Sequence, residues 1–525
     1  MDTSTFDVTN IKYDDEATWD LICSGRTKGV FQLESSLGKS WAKRAKPRNI
    51  EELAALVSII RPGCLKAIVD EKSLTQHYVD RKNGKDSVTY IDLSLEPILK
   101  NTQGVLVYQE QSMKIAQSIA GFDLQEADDL RKAIGKKKAD LMAKVKKAFL
   151  SGAISKKVVT RETAEEIFSW IEKSSRYAFN KSHAVSYAIC GYWSAYAKTH
   201  FPLQFYCNYL RHSGGKPDPQ REVKELVTDA KIHSVFIHPP SLEEMNEETD
   251  IIRGQIHFGL KNIKSLGANK IIELRKHVKE TETFLKKKIS EWEWYEFLIC
   301  FSRKVTSTAI KALISIGVLS HSKLSRQKML DEFDTWQKLT EKETEWAIEN
   351  YTQHNNLIDL LVSLARPKKE GGGAANKNRI EIINDFINHL KNPYYPLEDD
   401  TEWITRTEEN YLGVSLTYAK VDSCDTSRSN TTCKEIIQGK TGVVKLAASL
   451  LDVRRYIAKK GKGKGQEMAF LAVEDGTGSI DNVTVFSKTW EKYKNVLYVG
   501  NNILIAGKSI QGERDGIIVD QISEL

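Results

Sequence analysis

Apolar residues recur at three-and-four spacing in EELAALVSII (51–60) and again in GVLVYQEQSMKIAQSIAG (104–121), the period of a helix that buries one face. That pattern dominates from Trp19 to about Val235 and predicts a mostly helical first region. A second helical stretch, from about Phe258 to Leu364, contains two short helix pairs, each turning at a glycine, Gly267 and Gly317. Those turns outline two hairpins. From about Gly442 the period shortens: GVVKLAASLLDVRRYI, MAFLAVED, SIDNVTVF, NNILIAGK and GIIVDQI read as five strands. The helix-like TWEKYKNVL lies between the third and fourth.

Five short strands with one helix in that place follow the element order of an OB-fold barrel. The expected fold class is thus multidomain and mainly α, with tandem helix-hairpin-helix units followed by a C-terminal five-stranded β-barrel. Two composition shifts suggest boundaries. ARPKKEGGGAANKN (365–378) has the charged, Gly-rich make-up of a mobile linker, and DSCDTSRSNTTC (422–433) is a second loose stretch. The expected domains are 1–235, 236–364, a linker at 365–379, a helical connector at 380–433 and the barrel at 434–525.

Composition adds limits rather than a function. The 525 residues are 41% hydrophobic and 28% charged, enough for several packed cores. The net charge of +7 is too small to mark a nucleic-acid binder by itself. Seven cysteines include no CxxC pair and no metal-ligand spacing, and the polar, acidic N-terminus is no secretory signal, so a reducing cytoplasmic location is expected. The softest stretch, 184–197, is too short to cross a bilayer and reads as a buried helix.

The placement of charge is more informative. LRKAIGKKKADLMAKVKKAF (130–149) carries Arg131, Lys132, Lys136, Lys137, Lys138, Lys144, Lys146 and Lys147 against a single acid, Asp140. Such a run repels itself unless something anionic neutralises it, and helix-borne cations with exposed N–H groups suit phosphate; the plain alternative is a solvated basic helix. In RYAFNKSHAVSYA (176–188), Arg176, Tyr177, Lys181 and His183 crowd around Phe179 and Asn180. A ring beside cations can stack on a base or sugar while the cations hold a triphosphate. IKSLGANKII (263–272) has the outline of a helix-hairpin-helix, with Lys261, Lys264, Gly267, Asn269 and Lys270 placed to hold backbone phosphates. Near the loop between the first two C-terminal strands stand Arg454, Arg455, Lys459, Lys460, Lys462 and Lys464, with Tyr456 and Phe470 as stacking faces for single-stranded DNA.

VFQLESS (30–36), RPG (61–63), YVDRKNGK (78–85), GVLVYQEQSMKIAQSIAGF (104–122), EADDLRKAIGKKK (126–138) and AFNKSHAVSYA (178–188) occur in this order. FGLKNIKSLGANKI (258–271), TEENYLGVSLT (407–417) and GVVKLAASLLDVRRYIAKKGKGKGQEMAFLAVEDGTGSI (442–480) follow. Together they closely resemble the alpha subunit of the bacterial replicative DNA polymerase III, a C-family polymerase. The resemblance implies that 1–235 is a fingers region with a palm-proximal segment. It also implies that Arg131, Lys132, Lys136, Lys137, Lys138, Tyr177, Lys181 and His183 bind the incoming nucleotide. Arg176 and Ala178 stand where the family usually has glycines, and Lys132 where it usually has arginine.

No P-D-x-D or D-x-D-F string occurs here, whereas the family's metal-binding aspartates lie upstream of VFQLES. The expectation is a C-terminal half without PHP and palm domains, with no catalytic residue or metal ligand of its own, serving a split polymerase. Mg²⁺ would be held mainly by a palm-bearing partner chain, the substrate would be dNTP, and primer-template and single-stranded DNA would be bound. A sliding clamp is a further expected partner, for which Gln327–Leu330 is the nearest peptide. The alternative is a non-catalytic DNA-binding or clamp-associated remnant of such a polymerase.

Overall fold

The structure, a computed structural model, describes residues 7–136, 139–174, 177–319, 322–373, 376–459, 463–511 and 516–525. The chain divides into two compact units, Met1–Pro202 and Leu203–Leu525.

In the first unit the EELAALVSII stretch forms the helix Ile50–Ile59, capped by the Asn49 side chain, which accepts from the Glu52 N–H at 2.9 Å. Its apolar face packs on the long helix Lys181–His200 through Leu53, Leu56, Ala184, Ala188 and Tyr192. The 184–197 stretch lies within that long helix. At its far end the buried Lys198 donates Nζ to the carbonyls of Arg26 and Lys28, each at 2.9 Å. A second core joins the helices Gln109–Ala120, Leu124–Lys136 and Ala139–Lys156 through Ile115, Ile119, Leu130 and Phe149. Gly152 makes this close approach possible: a Cβ there would lie 2.1 Å from the Ala120 carbonyl oxygen. Strands β1 (Ile68–Val69) and β2 (Lys72–Ser73) form a small antiparallel pair in this unit.

The second unit opens with helices Pro202–Arg211 and Pro219–Ile232. Strands β3 (Ile237–His238), β4 (Asp250–Ile252) and β5 (Gln255–His257) follow, in the order β3-β5-β4 with β3 and β5 parallel. A large core runs from Tyr206 through Phe258, Leu274, Trp292, Phe301, Leu313 and Trp336 to Leu416. Trp294 Nε1 donates to Glu332 Oε2 at 2.7 Å, and burial pushes the Glu332 carboxyl above the usual range. A raised folded-state pKa means that the folded state holds the proton more tightly. The contribution of this group is therefore greatest at low pH and declines as pH rises from the ordinary glutamate value to the raised one. Glu332→Gln keeps an acceptor for Trp294 and removes the buried charge. Its melting temperature should exceed the parent's at neutral pH, with the gap closing below about pH 4; an equal or lower value at neutral pH would contradict this assignment.

In the C-terminal region the strands are β6 (Gly442–Ile457), β7 (Glu467–Asp475), β8 (Gly478–Val485), β9 (Asn502–Ile510) and β10 (Gly516–Glu524), with the helix Ser487–Tyr493 between β8 and β9. Their pairings run in a closed ring, β10-β8-β7-β6-β9. Four ladders are antiparallel, while β10 meets β8 in parallel through two residue pairs, Ile517 with Val483 and Ile518 with Thr484. Val444, Leu446, Leu471, Val483, Ile503, Ile505 and Trp490 fill the interior.

The expected fold class is corrected on three points. The C-terminal element is a small mixed sheet whose ring of strands is joined at β8 and β10 only by a two-pair parallel contact. Strands also occur outside it, as β1 to β5. Of the two expected helix pairs the first is incomplete, because the arm before Gly267 is only the single 3₁₀ turn Leu260–Asn262. About Gly317 (φ +77°) the helices Ser307–Ser315 and Arg326–Gln337 do pack on each other, with the Arg326 guanidinium close against the glycine.

The glycine-rich 365–373 segment folds back on the second unit's core: Gly373 N–H donates to the Leu364 carbonyl, and a Cβ at Gly373 would strike the Trp346 ring at 2.7 Å. The lack of side chains that reads as mobility in composition here permits close packing. The helix Lys377–Lys391 then begins under the Asn376 cap.

Candidate nucleic-acid interface

In the first unit, two distant strings are joined by backbone hydrogen bonds, Gln109 N–H to the Phe179 carbonyl and Phe179 N–H to the Val107 carbonyl, each 2.9 Å. Asn180 caps the helix Lys181–His200 by accepting from His183 N–H at 2.9 Å. The Glu110 carboxylate accepts from Asn180 Nδ2 and from Lys181 N–H, each at 2.9 Å. Glu110 sits at the start of the helix Gln109–Ala120, whose body packs on the basic helices. One carboxylate thereby ties the FNKSH turn to the helix beneath the LRKAIGKKK run.

Around this turn the rings form a continuous strip. The Arg61 guanidinium lies 3.7 Å over Phe179, and Phe179 meets His183 at 5.3 Å between centroids. His183 meets Tyr187 at 3.9 Å, and Tyr187 meets the exposed Phe31 at 5.1 Å. The His183 ring faces solvent, whereas Tyr177 is half-buried and its phenol is held well above the usual range by burial. Lys181 reaches Glu51 at 3.1 Å and lies 5.7 Å from the Tyr108 ring. Arg61, Glu110 and Phe31 stand in the family strings but are given no site role by the sequence, because their partners are distant in the chain and no local pattern marks such pairings.

On the helix Leu124–Lys136, Arg131 donates Nε to Asp128 Oδ1 at 2.8 Å and brings Nη2 to 2.8 Å from the same oxygen in an ion pair. Lys132 Nζ lies 2.8 Å from Asp128 Oδ2 and 3.5 Å from Asp129. The hydrogen bond to Asp128 raises the Lys132 pKa, and the bonds from Lys132 and Arg131 lower that of Asp128. These acids stand one turn upstream of the run, so its first two cations are already paired, which the count of Asp140 alone overlooks. Lys144, Lys146 and Lys147 are exposed on the following helix. Lys137, Lys138 and Arg176 lie outside the described residues, as does the Lys136 side chain.

In the second unit, Lys261 is held by Glu247 at 2.7 Å and Glu248 at 2.8 Å, which pushes its pKa well up. Lys264 donates its backbone N–H to the Tyr411 carbonyl, and Lys270 Nζ donates to the Ser265 carbonyl at 3.1 Å. Gly267 caps the helix Ala268–Leu285 without a side-chain acceptor, in open space, and Asn269 is exposed beside it. The start of this helix has no side-chain cap, while the Lys261, Lys264 and Lys270 side chains all have partners, Lys264 Nζ reaching the Glu409 carbonyl at 3.5 Å.

The β6–β7 hairpin presents a different arrangement. Arg454 lies across from Phe470, Arg455 from Ala469 and Tyr456 from Met468. Beyond the ladder, Ala458 N–H donates to the Gln466 carbonyl and Gly465 N–H to the Ala458 carbonyl, carrying the hairpin outward. Lys459 and Lys464 are exposed there and form no ion pair among the described residues. Lys460 and Lys462 lie outside the described residues. Arg454 donates to the Asp481 carbonyl at 2.9 Å and stands 3.5 Å from Asp452, and Arg455 lies over Trp490 at 5.6 Å. Tyr456 is exposed, edge-on to Phe470 at 6.0 Å, next to the exposed Ile457.

The Gln327–Leu330 string is placed in the helix Arg326–Gln337, with Met329 buried and the Gln327 side chain donating to the Glu398 carbonyl. It is not an extended, accessible peptide. Among the described residues no group of three or more His, Cys, Asp or Glu is arranged to hold a metal ion. No described helix is long and apolar enough to cross a membrane.

A family model described as the bacterial DNA polymerase III alpha subunit finger domain matches residues 2–157. The DNA polymerase III subunit alpha of Aquifex aeolicus is 34% identical over 417 residues, which are 78% of this chain and 33% of that protein. The subunit of Bacillus subtilis is 30% identical over 509 residues, 96% of this chain and 41% of that one. That of Thermus aquaticus is 28% identical over 536 residues, 98% and 39%. The chain spans about a third to two fifths of the length of these relatives.

Proposed function

We propose, from the homology to DNA polymerase III alpha subunits that extends over most of the chain, that this protein is a DNA-binding component of that polymerase family and performs no phosphoryl transfer through its own described residues. The observation that carries this reading is the β6–β7 hairpin. Lys459 and Lys464 are exposed with no carboxylate partner among the described residues, the arginines lie on the same ladder, and Tyr456 offers a ring beside them. Unpaired cations release counterions when they meet a phosphate backbone, and an adjacent ring stacks on any base. The start of the helix Ala268–Leu285, with Gly267, Asn269, Lys264 and Lys270, would add contacts to duplex phosphates without reading sequence.

A second reading is favoured by the finger-domain match and by the ring strip at the FNKSH turn. Here the first unit binds a deoxynucleoside triphosphate. Arg131, Lys132 and Lys136 to Lys138 would receive its phosphates, Tyr177, Lys181 and His183 would lie near its sugar or base, and metal-binding carboxylates would come from another polypeptide segment.

The experiment that separates the two uses the whole chain in primer extension with Mg²⁺, with and without a palm-bearing polypeptide, alongside binding of single-stranded DNA and of dATP. DNA binding with no dATP binding and no gain in extension supports the first reading. A gain in extension supports the second. In that case alanine at Lys136, Lys137 and Lys138 together should weaken the dATP interaction by on the order of tenfold, and more than it weakens DNA binding. Failure to bind DNA would overturn the first reading.

A further inference from the structure

We propose that Asp128 is a positioning residue that holds Arg131 and Lys132 in one fixed arrangement to receive a polyphosphate; the proposal rests on the nucleotide reading of the first unit. The geometry is a carboxylate that grips a different cation with each oxygen. Arg131 brings Nε and Nη2 to Oδ1, and Lys132 brings Nζ to Oδ2, all at 2.8 Å. The spacing makes this possible, because residues three and four positions on along a helix lie on the same face as the first.

The grip leaves cation donors unused. The guanidinium carries five N–H groups: Nε donates to Asp128 and Nη2 lies against the same oxygen, so among the described residues other N–H groups remain to meet a ligand in a fixed direction. Lys132 meets Asp128 and Asp129 and keeps one donor. All of these side chains are roughly a third to a half exposed, so a ligand can approach from solvent. Two long side chains that are already ordered lose less freedom on binding than two that are swinging. Asp129 differs: it touches Lys132 only at 3.5 Å and otherwise accepts from Gln125 Nε2 at 3.1 Å.

The two effects of this carboxylate on an anion have opposite signs, which makes the proposal testable. As a charge, Asp128 repels phosphate, and on Coulomb's law alone its removal should tighten binding. As a positioning group, its removal should loosen binding. The whole chain would be titrated calorimetrically with dATP and Mg²⁺, and separately with a single-stranded oligonucleotide. We expect Asp128→Ala to weaken dATP binding about fivefold despite the gain of one positive charge, and Asp129→Ala to leave it equal or slightly tighter. Asp128→Asn, which keeps one acceptor oxygen, should recover to within about twofold of the parent. Oligonucleotide affinity and melting temperature should stay near the parent's, which separates positioning from a general structural defect.

Tighter or unchanged dATP binding in Asp128→Ala would overturn the proposal, and so would equal losses of dATP affinity, oligonucleotide affinity and melting temperature. Should Asp128→Ala not fold, Asp128→Asn decides by the same sign: weaker binding than the parent supports positioning and tighter binding refutes it. If Arg131→Ala leaves dATP binding unchanged, the underlying nucleotide reading fails instead.

Discussion

Glu408→Ala is expected to destabilise the second unit by about 3–5 kcal/mol, the cost typical of stripping one partner from a buried ion pair. Glu408 is fully buried and accepts from five groups. Arg326 Nη1 reaches Oε1 at 3.0 Å, and the Thr417 hydroxyl donates to the same oxygen at 2.6 Å. The N–H groups of Leu416 and Thr417 reach Oε2 at 2.7 and 2.9 Å, and the Ser415 hydroxyl at 3.2 Å. Alanine would leave two backbone N–H donors and a guanidinium without their acceptor in a low-dielectric site, where each unmet group is costly. Among the described residues, the Arg326 guanidinium would keep its bond to the Ser315 carbonyl. Glu408→Gln keeps one oxygen but turns an amide toward donors, so its loss should be smaller, about 1–3 kcal/mol. Urea denaturation followed by tryptophan fluorescence measures both, and a loss for alanine of less than about 1 kcal/mol would mean that this carboxylate is not the anchor the geometry describes.

Replacing Arg454, Arg455, Lys459 and Lys464 together by alanine is expected to weaken single-stranded DNA binding on the order of a hundredfold near physiological salt. The more diagnostic quantity is the salt dependence. Each lost phosphate contact on a single strand should flatten the slope of log affinity against log salt by about 0.7. Tyr456→Ala should instead cost about 1–3 kcal/mol of affinity with the slope unchanged, because stacking displaces no counterions. The melting temperature should hold in both variants, since these side chains lie outside the buried core of the sheet. An unchanged salt slope in the fourfold variant would place DNA on another surface, with the start of the helix Ala268–Leu285 as the next candidate.

Local pattern was enough for the elements that bury one regular face. EELAALVSII and the 184–197 stretch form packed helices, and the five C-terminal strands with their intervening helix occur in the order that the change of period predicts. The family strings were likewise legible, since they are contiguous. The pairing of charges was the part not read, in one case within a helical turn and in the other across the fold. Arg131 and Lys132 looked unneutralised when acids were counted only inside the basic run, yet Asp128 stands just ahead of it on the same helix face. Lys261 looked available for phosphate and is held by Glu247 and Glu248, brought beside it by the fold of the preceding loop.

Sequence alone marked the packed helices, the five C-terminal strands and the family's strings, because periodicity and motif are properties of neighbouring residues; the short strands β1 to β5 carry too few residues to show a period. Only the tertiary structure decided which cations remain open to a phosphate. It joined Glu110 to Asn180 and Lys181, seventy positions on, and Arg326 to Glu408, eighty-two positions on. It also packed the glycines at 372 and 373 into a core and left Lys459 and Lys464 without carboxylate partners among the described residues. The physical reason is that burial and Coulomb attraction depend on distance in space, which chain spacing does not report beyond a helical turn or a strand pair.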